Sequence, residues 1–537
     1  MARVILILST ATLVACGGGG SSSSSDATQS NEEDIQEVAQ EETNTTPTWT
    51  KNVFTDDSQF KNKCENPRTG QDANGDNYAD TAGSTLEEQH WLRSWNNDTY
   101  LWYSEVEDQN PVDFDTPQTY FDVLKTLQTT DSGELRDRFH GSLSTAEYTQ
   151  TTSGSGDVGY GFEFTSDGTF PRSVYVYLVE PNSPAADANI TRGAEILFVD
   201  GVDVKNSNTV DIILNGLLPE EVAEEHTFVF KDLGATESRT VVLQADAITS
   251  EPVHNTKVLE TDTGKVGYLT FNTFGSRTAE KALFDAFTTF QDQEVSDLVI
   301  DLRYNGGGFL VTSAQLGYMV AGAELSEGKV FDKLSYNDKY PTVSPTSGNT
   351  IQPYPFIDIA VGFSVDSGVA LPSVGLDRVF ILSSSGTCSA SESLINGLRG
   401  IDVEVILIGG TTCGKPYGFV PTDNCGTTYF TIQFKGENEK GFGDYADGFA
   451  PNNTTSVGSE IVTGCQVEDD LEHLLGDENE AMLQAALNYR ENGTCPAVVA
   501  NRASGNSYNS ASDINNDPRM IERKFMKEMR FDTGYIK

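Results

Sequence analysis

The sequence is poor in positive charge. It holds 35 lysine and arginine residues against 80 aspartate and glutamate residues, a formal net charge of −45 over 537 residues. Proteins bind nucleic acid through clustered lysine and arginine side chains, so this balance excludes nucleic acid as a partner. We interpret the acidity as a property that favours solubility.

The residue patterns of common metal sites are also missing. The chain has no Cys-x-x-Cys pair and no histidine-rich tract, so we expect no metal and no cofactor. Only 5 histidines occur, and none of them lies within a nucleophile motif. A local motif therefore does not identify a histidine as the base of a nucleophile.

The first residues lack an apolar run long enough to cross a bilayer. Arg3 precedes the short apolar run Val4–Leu8, and Leu13-Val-Ala-Cys16 follows. A charged start, an apolar centre and a small-residue cleavage site predict a signal peptide over residues 1–16. The last four residues resemble the bacterial lipobox, which implies lipidation of Cys16. An ordinary secretory signal peptide with a free Cys16 is the alternative.

The lipobox resemblance also implies a location. Glycine rather than aspartate follows the cysteine, at Gly17. In a Gram-negative bacterium this favours the outer membrane, so we expect a lipid-anchored protein of the cell envelope that faces the periplasm. The anchor would hold the protein to the membrane without a transmembrane helix.

The other cysteines fit an exported protein. An even number of cysteines in such a chain is typical of disulfides, and the six that remain after Cys16 are Cys64, Cys388, Cys413, Cys425, Cys465 and Cys495. Closeness in sequence alone favours the pairs Cys413–Cys425 and Cys465–Cys495.

Composition divides the first part of the chain. Residues 17–50 are rich in glycine and serine, then acidic, and contain no lysine or arginine, which predicts a disordered tether. Residues 51–150 are predicted to form a small helical region, because Glu87–Trp95 and Thr119–Leu127 carry apolar residues at helical spacing. Residues 496–537 form a polar C-terminal tail whose role the sequence does not reveal.

One segment of the helical region resembles the front half of a calcium-binding loop. Asp72–Asp80 is rich in aspartate and asparagine. A calcium loop requires glycine and glutamate at two places that hold Asn77 and Gly83 here. A polar turn is therefore the favoured interpretation, and calcium binding is the alternative.

Residues 155–247 are rich in strand patterns. Val158–Phe164 and Val174–Val179 predict strands, and a short helix pattern follows them. This order resembles a PDZ domain of the bacterial protease type. The resemblance places a carboxylate-binding loop at Gly159, Tyr160, Gly161 and Phe162, whose backbone N–H groups would bind the C-terminus of a polypeptide. A small β-domain without a ligand is the alternative.

Residues 255–495 alternate strand and helix patterns. Such alternation predicts an α/β fold with a mostly parallel sheet and flanking helices. Three apolar runs, Asp297–Leu302, Val379–Leu382 and Val405–Ile408, come shortly before a glycine turn, Ser389 and Lys415 respectively. Ligands bind at the carboxyl ends of strands in such sheets, so these groups are candidates for one site.

The chemistry of this site would depend on Ser389 and Lys415. Ser389 lacks the Gly-x-Ser-x-Gly context of an α/β-hydrolase, and a serine needs a base to become nucleophilic. A lysine can serve as that base when burial disfavours its ammonium form. Glu392, one helical turn beyond the serine, either holds the lysine or simply caps a helix.

An oxyanion hole requires backbone N–H groups beside the nucleophile. Ala390 lies at the predicted helix start, and Gly306 and Gly307 belong to the glycine turn after the preceding strand. These residues are the candidates, and a glycine turn without a catalytic role is the alternative.

Together these segments resemble peptidase family S41, the C-terminal (tail-specific) processing proteases. The similarity rests on Leu298–Gly308, Gly386–Glu392 and Gly409–Lys415 behind the PDZ-like region, and it covers roughly residues 135–490. It implies a serine endopeptidase with Ser389 as nucleophile and Lys415 as general base. It also implies that the substrates are exported polypeptides, recognised by their C-termini.

The sequence departs from the family pattern near the lysine. The family often has a glutamine four residues after the lysine to orient it, and Phe419 stands there instead. Glu392, Gln433 or a backbone carbonyl remain as orienting groups. More distant relatives use a histidine base, which makes His140 a rival to Lys415. A non-catalytic adaptor that binds C-termini is the alternative function.

Overall fold

A computed structural model describes residues 46–72, 75–153, 156–166, 171–454, 456–496 and 519–520. The predicted signal peptide, Cys16, most of the predicted tether and nearly all of the C-terminal tail lie outside these residues. No helix in the described ranges combines the length and the hydropathy needed to cross a bilayer.

The first region, up to residue 153, packs small elements around one long helix. Its strands and helices are β1 Lys63–Cys64, β2 Thr81–Ala82, α1 Thr85–Thr99, α2 Pro117–Phe121, β3 Gly141–Ser144 and α3 Thr145–Ser153. Short 3₁₀ turns lie at Asp57–Gln59, Tyr103–Glu105 and Pro111–Asp113. The helix expected at Thr119–Leu127 is wrong beyond Phe121, where α2 ends and the chain turns.

Helix α1 contains the predicted segment Glu87–Trp95 and begins at Thr85, after the N-cap Ser84. Ser84 accepts a hydrogen bond from the Glu87 N–H at 3.3 Å, and acidic side chains occupy the first turn. Its buried tryptophans, Trp91 and Trp95, pack with Phe121 and with Tyr429 from a distant part of the chain. Burial of these aromatic faces joins the first region to the segment that follows Lys415.

The second region runs from residue 157 to residue 248. Its elements are β4 Asp157–Gly159, β5 Phe162–Ser166, β6 Val174–Val179, α4 Pro184–Asp187, β7 Glu195–Val199, β8 Val202–Asp203, α5 Val210–Leu217, β9 Glu225–Lys231, β10 Arg239–Gln244 and β11 Asp246–Ile248. The main sheet is antiparallel, in the order β10-β9-β7-β6-β5, and β4 pairs with β11. Strand β6 alternates buried and half-buried residues, as expected for a sheet with one face on a core.

The third region, from residue 253 to residue 492, contains the central sheet. Its first half comprises β12 Val253–Thr261, β13 Gly264–Phe271, α6 Ala279–Asp292, β14 Asp297–Asp301, α7 Leu310–Ser326, β15 Val330–Ser335, β16 Tyr354–Pro355, β17 Arg378–Ser383 and α8 Ala390–Gly400. Its second half comprises β18 Glu404–Gly409, β19 Tyr417–Gly418, β20 Thr422–Asn424, β21 Thr427–Phe430, β22 Phe434–Glu437, β23 Phe449–Pro451, β24 Glu460–Val462, β25 Gly464–Gln466 and α9 Ala481–Asn492.

The central sheet has the order β12-β13-β14-β17-β18-β25, and every pair except β12–β13 is parallel. Strand β14 is buried on both faces, as is typical of parallel strands covered by helices. Its Leu298 and Ile300 pack against α6, α7 and α8, whereas Val299 belongs to the core under α9. The adjacent strands β14, β17 and β18 therefore end at one edge, where the candidate site lies.

The disulfides differ in part from the prediction. The pair Cys465–Cys495 is confirmed, but Cys413–Cys425 is wrong. The structure joins Cys388 to Cys413 and Cys64 to Cys425. The prediction failed because closeness in sequence ignores topology: β17 and β18 are neighbours in the sheet, so the segments that follow them meet.

The calcium-like segment is built as a turn that an ion pair stabilises. Arg68 donates to both oxygens of Asp80, at 2.8 and 2.9 Å, and it also reaches Asp423. Residues 73 and 74 lie outside the described residues. Because Asp80 already neutralises an arginine, the contacts favour the polar turn over the calcium loop.

Candidate active site

Ser389 lies between β17 and α8, as the sequence predicts. It is the N-cap of α8 and is half-buried, with φ of 55° in the left-handed region that residues other than glycine rarely adopt. Such backbone strain is often found where a side chain must be held in one direction. Ser389 lines a narrow cavity together with Gly308, Ala390 and Tyr417.

The glycine turn is pressed against the serine. Gly307 has φ of +103°, and a Cβ placed on it would lie 2.8 Å from the Ser389 Cβ and 2.8 Å from the Cys388 carbonyl oxygen. A side chain at this position would push the serine out of place. Only glycine fits both the backbone conformation and the space.

Glu392 is a hydrogen-bond centre that joins the two segments. Its Oε2 accepts the backbone N–H of Ser389 at 3.0 Å and that of Lys415 at 2.8 Å. Its Oε1 accepts the Gly414 N–H at 2.8 Å and the Thr412 hydroxyl at 2.6 Å. One carboxylate therefore holds the start of α8 and the loop after β18 together.

The environment of Glu392 works in two directions. Burial raises the pKa of its carboxyl group, because the charged form loses its hydration. The hydrogen bonds from Thr412, Lys415, Gly414 and Ser389 favour the charged form and offset part of that rise. A buried carboxyl group that accepts four donors is a structural anchor for both segments.

Lys415 is buried between two aromatic rings. It is 2% exposed, and its Nζ lies 4.8 Å from the ring centre of Phe139 and 4.5 Å from that of Phe419. Phe419 thus occupies the place where a glutamine was expected, with its ring directed at the lysine. The role of Phe139 was missed from sequence, because contacts between residues far apart in the chain, such as the pairing of β3 with β21, bring the first region to this site.

Gln433, another of the orienting candidates, has a backbone partner. Its Oε1 accepts the Val420 N–H at 2.9 Å, so it holds the backbone of the residue that follows Phe419. Glu392 contacts the lysine segment through the backbone N–H of Lys415.

The N–H groups of the glycine turn are not equivalent. The Gly307 N–H donates to Asn305 Oδ1 at 2.9 Å, within the turn itself. Phe274 donates to the Gly307 carbonyl at 2.9 Å and accepts from the Phe309 N–H at 3.1 Å, which is the pattern of a parallel bridge to Gly308. In such a bridge the N–H of Gly308 points away from Phe274. Since Gly308 and Ser389 line the same cavity, this N–H is a candidate oxyanion donor beside Ala390.

His140 lies in a different environment from the serine. Its ring stacks on Phe121 at 3.9 Å, and its nitrogens contact the Phe121 carbonyl at 2.8 Å and the Thr431 hydroxyl at 3.3 Å. Burial lowers the pKa of His140 to about 4. These contacts give the histidine a place in the core of the first region.

The predicted carboxylate-binding loop forms a turn before β5. Gly161 has φ of +80°, and a Cβ there would lie 2.2 Å from the Ser183 Cβ. The carbonyls of Tyr160 and Gly161 accept the N–H groups of Ala185 and Glu180 at 2.9 and 2.7 Å. Strand β5, which begins at Phe162, is the last strand of its sheet among the described residues.

A buried arginine joins the second region to the glycine turn. Arg192 donates to the Tyr304 hydroxyl at 2.6 Å and to Asp469 at 2.5 Å. Arg303 also reaches Asp469, at 2.7 Å. Burial alone would raise the pKa of Asp469, but the two arginines, together with the hydrogen bond from the Tyr304 hydroxyl, outweigh it and hold the pKa below its usual range. The network therefore anchors the residues directly before Asn305.

Comparison with known families matches two segments of the chain. Residues 87–139 match the model "Peptidase S41 N-terminal domain", and residues 265–423 match "Peptidase family S41". The second segment includes the glycine turn, Ser389, Glu392 and Lys415.

The sequence is also similar to named relatives. It is 29% identical over 311 residues to the chloroplastic C-terminal processing peptidase of Tetradesmus obliquus. The aligned segment covers 56% of this chain and 59% of the relative. It is 26% identical over 240 residues to a carboxyl-terminal-processing protease of Picosynechococcus, and this aligned segment covers 45% of this chain and 50% of the relative. The chain thus spans between half and three fifths of the length of these relatives.

A solved structure shares the fold. The crystal structure named as an S41 protease from Bacteroides fragilis aligns with a TM-score of 0.58 and 23% identity, over 75% of this chain and 97% of that one. The chain therefore carries peptidase family S41 domains and is related to the C-terminal processing proteases.

Proposed function

We propose that this protein is a serine endopeptidase in which Ser389 is the nucleophile and Lys415 the general base. The observation that carries the proposal is the shared acceptor: Glu392 Oε2 binds the backbone N–H of both residues, at 3.0 and 2.8 Å. Two residues that lie 26 positions apart are thereby brought to one edge of the sheet.

The reaction follows from these positions. The neutral amine of Lys415 removes the proton from Ser389 Oγ as the oxygen attacks a peptide carbonyl. The N–H groups of Gly308 and Ala390 stabilise the oxyanion that forms. Lys415 then gives its proton to the leaving amine, and water, deprotonated by the same lysine, hydrolyses the acyl-enzyme.

Burial supports the role of Lys415 as a base. At 2% exposure an ammonium loses most of its hydration, which favours the neutral amine. The faces of Phe139 and Phe419 attract a cation, so they oppose this effect and also fix the position of Nζ. The rate should therefore rise with pH as the neutral fraction of the lysine grows.

We further propose that the second region is a PDZ domain that binds the C-terminus of a polypeptide substrate. Its support is the antiparallel sheet with β5 at one edge, preceded by the Gly159–Gly161 turn. A peptide could add a strand to this edge while the turn holds its carboxylate. Arg192 would connect this region to the catalytic turn through Tyr304.

The location remains the one expected from the lipobox-like sequence. We propose that Cys16 carries a lipid anchor and that the protein acts on exported polypeptides at a bacterial outer membrane, facing the periplasm. The three disulfides support an oxidising compartment. Globomycin, which blocks lipoprotein signal cleavage, should leave the precursor uncleaved, whereas cleavage despite globomycin would contradict the anchor.

A non-catalytic adaptor is the second candidate. The two aromatic rings around Lys415 favour its ammonium form, which cannot act as a base. An adaptor would still bind C-terminal peptides through the second region but would not cleave them.

Cleavage of an unstructured peptide by the purified protein separates the two candidates. We expect Ser389→Ala to lower kcat more than about 1,000-fold while the affinity for the peptide is retained. Ser385→Ala, an exposed serine four residues earlier, is the matched control and should keep full activity. Equal turnover by wild type and Ser389→Ala, or no turnover by either, would reject the peptidase assignment.

A further inference from the structure

We propose that the Cys388–Cys413 disulfide is a positioning element that sets the lysine segment against the nucleophile. The inference rests on the proposed function of Ser389 and Lys415 and deepens it.

The position of the bridge in the chain is the first argument. Cys388 immediately precedes Ser389, and Cys413 lies two residues before Lys415. Their Cα atoms are 5.2 Å apart. A covalent link therefore spans the two segments within two residues of both proposed catalytic side chains.

The surroundings of the bridge are the second argument. The two sulfur atoms of the bridge and a carboxylate oxygen of Glu392 lie within 4.8 Å of one another. The backbone N–H of Cys413 donates to the Thr387 carbonyl at 3.0 Å, beside the bridge. Cys388 is fully buried, and its N–H donates to the Asn305 carbonyl at 3.1 Å. The disulfide thus belongs to the same set of contacts as the carboxylate that accepts from Ser389 and Lys415.

The lysine segment itself needs such a support. Residues 411–416 form neither helix nor strand. Gly414 has φ of +84°, and a Cβ there would lie 2.3 Å from the Ala446 carbonyl oxygen. An irregular segment of this kind keeps its geometry through specific tethers. The disulfide and Glu392 are two of them, beside hydrogen bonds such as the one that Arg138 donates to the Cys413 carbonyl at 2.6 Å.

The other disulfides lie elsewhere and serve as internal controls. Cys465–Cys495 joins β25 to the segment after α9, and Cys64–Cys425 joins the first region to the β20–β21 hairpin. Both restrict the unfolded chain, as the Cys388–Cys413 bridge does. Neither contains a residue adjacent to Ser389 or Lys415, so loss of either tests the general cost of losing a disulfide.

The bridge also makes the site sensitive to reduction. A dithiol such as dithiothreitol gives two electrons to the bridge and is itself oxidised to a cyclic disulfide. Its two thiol hydrogens pass to Cys388 and Cys413, which become free thiols. The tether is then broken while every side chain of the proposed dyad remains in the chain.

The test compares Cys388→Ala/Cys413→Ala with Cys465→Ala/Cys495→Ala. We expect the first double variant to lose about 10- to 100-fold in kcat with little change in KM. The midpoint of its pH–rate profile should shift, because the lysine is held differently. The second double variant should keep the kcat, the KM and the pH–rate midpoint of the wild type. Equal kcat losses in the two variants would show that the bridge only stabilises the fold in general, and would overturn the proposal.

Hydrogen exchange gives a readout that does not depend on activity. The N–H groups of Gly414 and Lys415, which donate to Glu392, should exchange at least about 10-fold faster in the first variant than in wild type. Their exchange rates in Cys465→Ala/Cys495→Ala should equal those of the wild type. Unchanged exchange in both variants would overturn the proposal even if the protein were not a peptidase, whereas absent cleavage with faster exchange would reject only the proposed function.

Reduction of the wild type covers the case in which the variant does not fold. EDTA is present to keep metal ions from the freed thiols. Dithiothreitol should then lower the rate of peptide cleavage by the same factor as Cys388→Ala/Cys413→Ala does, and reoxidation should restore that rate. Cys465→Ala/Cys495→Ala should respond in the same way as wild type. Full activity after mass spectrometry has shown Cys388 and Cys413 to be reduced would contradict a positioning role.

Discussion

At the scale of single residues, Glu392 connects the serine segment to the lysine segment. A carboxylate can accept several hydrogen bonds at once, whereas an amide offers only one oxygen and adds two donors. Its four donors come from Ser389, Thr412, Gly414 and Lys415. The residue was a candidate from sequence, but its contacts to the lysine segment required the fold.

We predict that Glu392→Gln lowers both stability and activity. The amide leaves buried N–H donors unmatched, which costs about 1–3 kcal/mol for each unsatisfied group. Guanidinium denaturation and peptide cleavage measure the two effects. Glu404→Gln, an exposed glutamate at the start of β18, is the control and should stay within about 0.5 kcal/mol of wild type. Wild-type stability and cleavage in Glu392→Gln would contradict its role as the centre of the site.

Gly307 provides a second test at the residue scale. We predict that Gly307→Ala loses peptide cleavage, because the added methyl group would lie 2.8 Å from the Ser389 Cβ. Gly441→Ala is the matched control: it has φ of +75° with no atom within 4 Å of an added Cβ, so it measures only the backbone cost of about 1–2 kcal/mol. Similar activity in the two variants would show that the contact between the glycine turn and the serine is unimportant.

At the scale of elements, the strand ends were predictable and their partners were not. Buried apolar runs mark β14, β17 and β18, because parallel strands covered on both faces carry few polar residues. The residues that follow these strands could therefore be assigned to one edge. Phe139 could not, because the antiparallel pairing of β3 with β21 joins residues far apart in sequence and leaves no local signal.

The failed helix prediction has a similar origin. Apolar spacing over Thr119–Leu127 suggested a helix, but α2 ends at Phe121. The side chains of Phe121 and Leu124 are buried in the cluster around Trp91. Tertiary packing can satisfy an apolar pattern in a turn as well as in a helix, so spacing alone did not decide the structure.

His140 is one of two buried histidines of the first region, with His90, that make the stability of the protein depend on pH. Burial lowers the pKa of His140 to about 4, against about 6.5 in an unfolded chain. Between these values the unfolded state binds a proton that the folded state does not, so stability falls as the pH drops. The full effect is about 3 kcal/mol for this side chain.

We predict that His140→Gln makes the decrease in unfolding free energy between pH 6.5 and pH 4 smaller, while His90, whose pKa burial also lowers to about 4, keeps its own share of that decrease. Denaturation at a series of pH values measures the slope. His473→Gln is the control with the opposite sign, because its hydrogen bond to Asp470 raises the pKa of His473 and its contribution is lost as the pH rises. A slope that His140→Gln leaves unchanged would contradict the assignment of His140 to the core.

At the scale of the whole molecule, the described regions converge on one edge of the central sheet. The first region supplies Phe139 to the lysine and is tied to the β20–β21 hairpin by Cys64–Cys425. The second region reaches the glycine turn through Arg192. A site shared in this way explains why the sequence, taken segment by segment, located the serine and the lysine but not the contacts that hold them.

The central claim is that Lys415 activates Ser389, and labelling by a fluorophosphonate probe tests it most directly. Intact-mass and peptide mass spectrometry would locate the adduct and give its rate of formation. The account predicts an adduct on Ser389 in wild type and a rate about 100-fold lower or more in Lys415→Ala. Labelling at another residue, or an equal rate in the two proteins, would contradict it.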